Sequence, residues 1–177
     1  ISDSSGGVYN PGGIEVAAAR AAKRQGPLAQ TQGLGDPITN EELLALPVDI
    51  LVLAAMEGAI DAKNASHVRA PLIIEGANGP ISRDADAILE GMGTTVVPDI
   101  LANAGGVVVS YFEWVQDRQA FWWDAEEVDQ RLARILSEAF QNVLATGAAR
   151  SVPLRMAALL LGIGRVVEAT RTRGIFP

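Results

Sequence analysis

The chain has 177 residues, 49% apolar and 20% charged, with a mean hydropathy of +0.20; this excludes a disordered chain and gives room for one domain or slightly more. The 14 Lys and Arg against 21 Asp and Glu leave a net charge of −7 and a pI near 4.7 with no basic run, which argues against a nucleic-acid binder. There are no cysteines and one histidine, His67, so disulfides, thiolate chemistry and a His-based metal site drop out. The composition fits a reducing cytoplasm, and no apolar run reaches the roughly 18 residues of a membrane helix.

In chain order, Ile1-Ser2-Asp3 has no initiator methionine and no leader pattern. It reads as the tail of a strand begun earlier, running to a turn at Gly6-Gly7, so a longer parent polypeptide is expected. Asn10-Pro11 predicts a helix start, with Ile14, Ala17, Ala18 and Ala21 along one face to about Arg24. A Gly-, Gln- and Pro-rich loop covers 25–38. Thr39 and Glu42 form a capping box for a short helix to Ala45. Three apolar runs of strand length follow, at 48–55, 70–77 and 94–98, of the kind that suits parallel strands buried on both faces. Between them Asp61 caps a short helix over 62–68, and Ser82 caps one to about Glu90. From Ala104 the pattern is helical: 105–118, then a helix capped by Asp124 and Glu127 running to about Ala145 with Val128, Leu132, Ile135, Phe140 and Leu144 on its apolar side, then a helix opened by Pro153 and stopped by Gly174.

Strands alternating with helices predict an α/β fold with an open parallel sheet, and ligands of such sheets bind beyond the carboxyl ends of the strands. The residues there are Asp3, Ala54-Ala55, Gly76-Ala77-Asn78-Gly79 and Asn103: small, amide-bearing or carboxylate-bearing, as backbone approach and polar recognition require. Asp3 either holds the two hydroxyls of an adenosine ribose or forms a turn. No Lys or Arg occurs between Ile1 and Asn10, which favours NAD over NADP, while Ser4 and Ser5 have hydroxyls for a phosphate. Asn78 is either a turn residue or a ligand amide, and Asn103 either a helix cap or a carboxamide partner, since an amide donates and accepts at once. Ser110, as a serine within a helix, reads more simply as a bland polar position or a bond back to the preceding turn. Glu75 is a candidate carboxylate, more simply satisfied structurally. Phe112, Trp114, Phe121, Trp122 and Trp123 suggest packing or a subunit contact, and the acidic run 124–129 a helix start. His67 is expected on a surface helix. No G-x-G-x-x-G phosphate loop is present: Gly12-Gly13 and Gly33-x-Gly35 lack a strand before and a helix after.

Together "ISDSSGGVYNP", "EGANGP", "PDILANAGGVVVSYFEW" and "LRMAALLLGIGRVVEA" resemble the C-terminal, cofactor-binding half of the glutamate dehydrogenases, over essentially the whole chain in order. The resemblance implies an incomplete Rossmann-type parallel sheet followed by C-terminal helices. Residues 1–103 would form a partial dinucleotide-binding domain, and 104–177 a helical segment returning toward an upstream substrate domain. It implies NAD or NADP as cofactor, bound by Asp3, Ser4, Ala54, Ala55, Asn78 and Asn103, with Asn103 on the nicotinamide carboxamide, Asn78 by the ribose and Asp3 near the adenosine ribose. It implies that Ser110 hydrogen-bonds the distal carboxylate of glutamate, that Val107 lines the same pocket, and that Gly105-Gly106 let the chain pass close to the nicotinamide. The family's substrate-binding lysines and acid-base Asp lie upstream, so no catalytic residue is expected here and the chain alone should not turn over glutamate.

The parent activity so implied is reversible oxidation of L-glutamate to 2-oxoglutarate and ammonium by a homo-hexamer, without metal. The alternatives are a related amino-acid dehydrogenase with another substrate, a non-catalytic regulatory subunit and a plain nucleotide-binding module. Two departures from the family pattern concern loops: Leu53 stands where Pro is usual, and Ile81-Ser82-Arg83 where two Thr and a Pro are frequent.

Overall fold

In the computed structural model, which describes residues 1–174, the chain opens with a three-stranded antiparallel sheet, β1 (Ser2–Asp3), β2 (Gly6–Tyr9) and β3 (Asp36–Ile38), in the order β1-β2-β3. Ser2–Asp3 is a strand, as expected, and it pairs antiparallel with β2, a hairpin that the sequence reading did not include. The turn lies at Ser4-Ser5, two residues earlier than Gly6-Gly7, because Asp3 Oδ1 accepts from Ser5 N at 2.8 Å and closes the hairpin locally. Gly7 is needed for close approach: a Cβ there would stand 2.3 Å from the Ile1 carbonyl oxygen. With two glycines in four residues, β2 has little strand signal in its sequence.

The first helix, α1 (Val16–Gln25), begins later than Asn10-Pro11. Asn10 Oδ1 accepts from Gly12 N at 2.9 Å, so Asn10-Pro11 starts a turn, and Glu15 caps the helix by accepting from Ala18 N. The expected loop 25–38 contains a 3₁₀ turn, Leu28–Gln30, and β3. The capping box at α2 (Asn40–Leu44) forms in full, Thr39 and Glu42 each bonding the other's backbone N–H.

The second sheet is parallel: β4 (Ile50–Leu53), β5 (Leu72–Glu75) and β6 (Thr95–Val97), in the order β4-β5-β6. Leu51, Leu53, Ile73, Ala85 and Leu89 form its core with Ile60, Val68 and Ile81. Burying such side chains stabilises by about 1.5–3 kcal/mol each. The expectation of strands buried on both faces fails at β4. It is an edge strand, and Ile50 and Val52 remain 51% and 57% exposed while Leu51 and Leu53 turn inward. Between β4 and β5 the expected helix is only a 3₁₀ turn, Ala65–His67, because the Asp61 carboxylate accepts from Lys63 N and Asn64 N and closes a local turn. Ser82 caps α3 (Arg83–Gly91) as expected.

A short helix, α4 (Asp99–Ala102), follows β6 in a stretch to which the sequence pattern assigned no element. Then come α5 (Gly105–Gln119), α6 (Ala125–Arg150) and α7 (Leu154–Arg173). Asp124 and Glu127 make the second capping box, but α6 runs on to Arg150. Of its expected apolar side, Val128, Leu132 and Phe140 are half-buried, with Phe140 against the second core, whereas Ile135 and Leu144 are exposed and the buried positions are Val143 and Gly147. Leu101, Val143, Ala157 and Ala158 form a second core, with Val97 of β6 against it. On α7, Met156, Leu160, Ile163, Val166 and Val167 are exposed. Among the described residues no helix is long and apolar enough to cross a membrane.

Candidate functional site at the strand ends

The carboxyl ends of β4 and β5 are tied together: Gly76 N and Ala77 N both donate to the Leu53 carbonyl at 2.8 Å. The Leu53 carbonyl thus ties the two strand ends together while its side chain lies in the core. Beyond β4 the chain runs beside the loop after β5, with Gly58 N donating to Gly79 O and Ile60 N to Pro80 O, both at 2.9 Å. Gly76 fits where strand ends converge, since a Cβ there would stand 3.1 Å from the Ala54 Cβ. Gly79 takes φ +54 at the loop corner, a conformation glycine adopts without penalty.

These turns leave a cleft of about 630 Å³ lined by Ala54, Ala55, Glu57, Gly76–Asn78, Asn103, Gly106 and Val107. Four of the sequence candidates for cofactor contact, Ala54, Ala55, Asn78 and Asn103, therefore share one concavity with Val107. Asn103 Nδ2 donates to Asn78 Oδ1 at 2.6 Å. Gly105 and Gly106 fall in the first turn of α5, where a Cβ would meet nothing within 4 Å, and Gly106 lines the cleft. Val107 is 76% exposed. Ser110 lies one helical turn further on the same side of α5; it is exposed and stands outside the cleft lining.

A second cleft, of about 510 Å³, shares Ala54, Ala55 and Glu57 with the first and extends along β4 to Ser2, Asp3, Ser4 and Asn40. Together the two make one groove from Asp3 to Val107 across the strand ends. At its far end both carboxylate oxygens of Asp3 are engaged. Oδ1 accepts from Ser5 N and Ser5 Oγ, and Oδ2 accepts from Lys23 Nζ and from Leu28 N at 3.1 Å. The Lys23 ammonium, with the Ser5 and Leu28 donors, holds the Asp3 carboxyl well below the usual carboxylate range. No Lys or Arg lies between Ile1 and Asn10, but α1 brings Lys23 onto Asp3 from 20 residues away, so a cation does stand at this end of the groove.

Glu75 is not free for chemistry. It is fully buried, and Arg155 grips both its oxygens at 2.7 and 3.0 Å. Phe112 and Trp123 pack edge to face with centroids 5.5 Å apart, as expected of core aromatics, whereas Trp114, Phe121 and Trp122 are exposed. His67 is exposed on its 3₁₀ turn. Among the described residues no group of His, Asp and Glu side chains is placed to hold a metal ion. Sequence reasoning missed Glu57, whose signal was its position just past a strand end. It also missed Lys23, Asp99 and Arg155, whose partners are distant in the chain.

The profile of the Glutamate/Leucine/Phenylalanine/Valine dehydrogenase family matches residues 1–174. A glutamate dehydrogenase of Thermotoga maritima is 51% identical over 177 residues, all of this chain and 42% of that protein. An NADP-specific glutamate dehydrogenase of Halobacterium salinarum is 46% identical, over 100% of this chain and 43% of that one. A catabolic NAD-specific enzyme of Bacillus subtilis is also 46% identical, over 98% and 41%. Among solved structures, a leucine-bound hetero-hexameric glutamate dehydrogenase of Thermus thermophilus superposes with a TM-score of 0.87 at 39% identity, covering 97% of this chain and 40% of that one. The chain thus spans about two fifths of the length of the relatives it matches. Profile, sequence and fold agree: the chain belongs to the glutamate/leucine/phenylalanine/valine dehydrogenase family.

Proposed function

We propose that the groove holds a nicotinamide dinucleotide and that the polypeptide to which this chain contributes is a glutamate dehydrogenase. One observation carries the reading: two amides, Asn78 in the loop after β5 and Asn103 at the end of α4, share one cleft that adjoins, at Ala54, Ala55 and Glu57, a second cleft reaching Asp3. The donor set fits the ligand. Amides recognise a carboxamide, the small residues Ala54, Ala55 and Gly76 admit a ring and a backbone, and Asp3 suits ribose hydroxyls.

In this reading Asn103 orients the carboxamide, Asn78 the adjoining ribose, and Asp3 with Ser4 the adenosine end. Residues 1–103 form the cofactor-binding part, and 104–177 the helical segment leading back to a substrate domain. When bound, the dinucleotide supplies the hydride acceptor or donor, and the protein's task is alignment. Val107 and Ser110, on one face of α5 beside the nicotinamide end, line the substrate side. The Ser110 hydroxyl takes the distal carboxylate of L-glutamate, which an apolar substrate would leave unpaired. The choice between NAD and NADP falls to the Asp3–Lys23 pair, where a carboxylate and an ammonium compete for the ribose substituent. The reading includes a hexameric parent and a cytoplasmic location, the latter resting on the cysteine-free composition.

The test is to express the full-length protein and follow NADH and NADPH absorbance with L-glutamate and with 2-oxoglutarate plus ammonium. Glutamate-dependent reduction of either cofactor is expected. A folded oligomer that binds neither dinucleotide rejects the reading. The hetero-hexameric neighbour, an enzyme with non-identical subunits, favours one second reading, a non-catalytic partner subunit. An oligomer inactive alone and active only when assembled with a second subunit would point there.

A further inference from the structure

The Arg155 guanidinium, in the first turn of α7, is a junction of three carboxylates. Nη1 and Nη2 donate to Glu75 at 3.0 and 2.7 Å, Nε and Nη2 to Asp86 at 2.6 and 3.3 Å, and Nη1 lies 3.5 Å from Asp99 Oδ1. Burial alone would lower the pKa of this guanidinium, but the Glu75 and Asp86 carboxylates outweigh it and raise the pKa. Neither Arg155 nor its partners line the cleft at the strand ends.

Asp99 nevertheless reaches both cofactor-facing amides. Its Oδ2 accepts from Gly79 N at 2.8 Å, fixing the residue next to Asn78. Its main-chain oxygen accepts from Asn103 N at 3.0 Å. Its own N–H donates to Glu75 Oε2 at 2.7 Å, the same oxygen that Arg155 Nη1 holds. The loop bearing Asn78 and the helix end bearing Asn103 therefore hang from one residue, which Arg155 and Glu75 anchor. A latch joining α7 to the sheet needs only Glu75 and Asp86. The link through Asp99 to Gly79 adds a geometric connection to the site.

We propose that Arg155 is a positioning residue, acting through Asp99 to set the spacing of Asn78 and Asn103; its consequence for cofactor binding rests on the reading above. A planar fork with five donors makes this junction. The single ammonium of lysine cannot bond Glu75 in bidentate fashion, hold Asp86 and stay beside Asp99 together.

The test uses Arg155→Lys and Asp99→Ala in the full-length protein. Asp99→Ala leaves the Arg155 bonds to Glu75 and Asp86 in place, so it remains informative if Arg155→Lys does not fold. The expected result for either folded variant is a rise of about tenfold in the Kd of NADH or NADPH, read by cofactor fluorescence, with the glutamate KM changed less than about twofold. The double variant is expected to be no worse than the worse single one, since both break one connection. A folded Asp99→Ala protein that binds cofactor as wild type does overturns the proposal. Crystallography of Asp99→Ala supplies a readout independent of cofactor: the Asn78–Asn103 separation is expected to open beyond the hydrogen-bond limit of about 3.2 Å, and retention of the 2.6 Å contact overturns the proposal. Absence of dinucleotide binding by the wild type would instead count against the cofactor reading alone.

Discussion

Asn103 and Asn78, 25 residues apart in the chain, meet through a 2.6 Å amide–amide hydrogen bond over the cleft at the strand ends. Each side chain keeps unused donor and acceptor capacity, so the pair is oriented before any ligand arrives. Pre-orientation matters because immobilising side chains on binding is costly.

Replacing Asn103 with Ala in the full-length protein is expected to raise the cofactor KM about two- to tenfold, the worth of one neutral hydrogen bond. Asn78→Ala should do the same, and the double variant should cost less than the two losses combined. Initial-rate kinetics at saturating glutamate measure it, and additive losses would show that the two amides act independently.

The Lys23 ammonium stands on Asp3 at the other end of the groove. Lys23→Ala is expected to lower kcat/KM for the NADP couple about three- to tenfold relative to the NAD couple, the modest worth of a charge contact screened by solvent, since the Lys23 side chain is 53% exposed. An unchanged cofactor ratio would remove Lys23 from specificity. The same contact has an acid signature. The folded-state pKa of Asp3 lies below its ordinary value of 3.8, so its contribution to stability is fully present above that value and is lost as pH falls through the lower one. Acid unfolding of Lys23→Ala, followed by circular dichroism, should therefore begin at higher pH than in the wild type.

Ser110 sits one turn beyond Val107, exposed on the side of α5 that borders the cleft. Ser110→Ala is expected to reduce kcat/KM for glutamate about 10- to 100-fold, in line with a hydrogen bond to a charged group, and to leave norvaline within about twofold. Equal losses for both substrates would show that the hydroxyl does not read the distal carboxylate.

The isolated chain exposes Ile50 and Val52 on β4 and Ile163 and Val166 on α7. Open strand edges and contiguous apolar faces promote association. Alone, these residues are expected to aggregate or to behave as a loose monomer with a broad thermal transition. Sedimentation velocity and calorimetry test this, and a monodisperse monomer with a sharp cooperative melt would contradict it.

Much of this architecture is legible in the sequence because its signals act over three or four residues. The capping boxes at Thr39–Glu42 and Asp124–Glu127 and the cap at Ser82 all formed where the spacing placed them. Three apolar runs became three parallel strands, and the small and amide residues after them became one cleft. Where a local alternative competed, the sequence misled. Asn10 bonds Gly12 in place of capping a helix, and the glycines of β2 mask a strand.

What the sequence by itself determined is therefore the order and type of most elements and the residues that reach the strand ends. Tertiary structure alone decided which charges meet. Lys23 comes to Asp3 over 20 residues, and Arg155 reaches Asp86 over 69 and Glu75 over 80. Helix caps and strand patterns follow from backbone geometry within a turn, whereas these ion pairs depend on how α1 and α7 pack, and no local spacing encodes that.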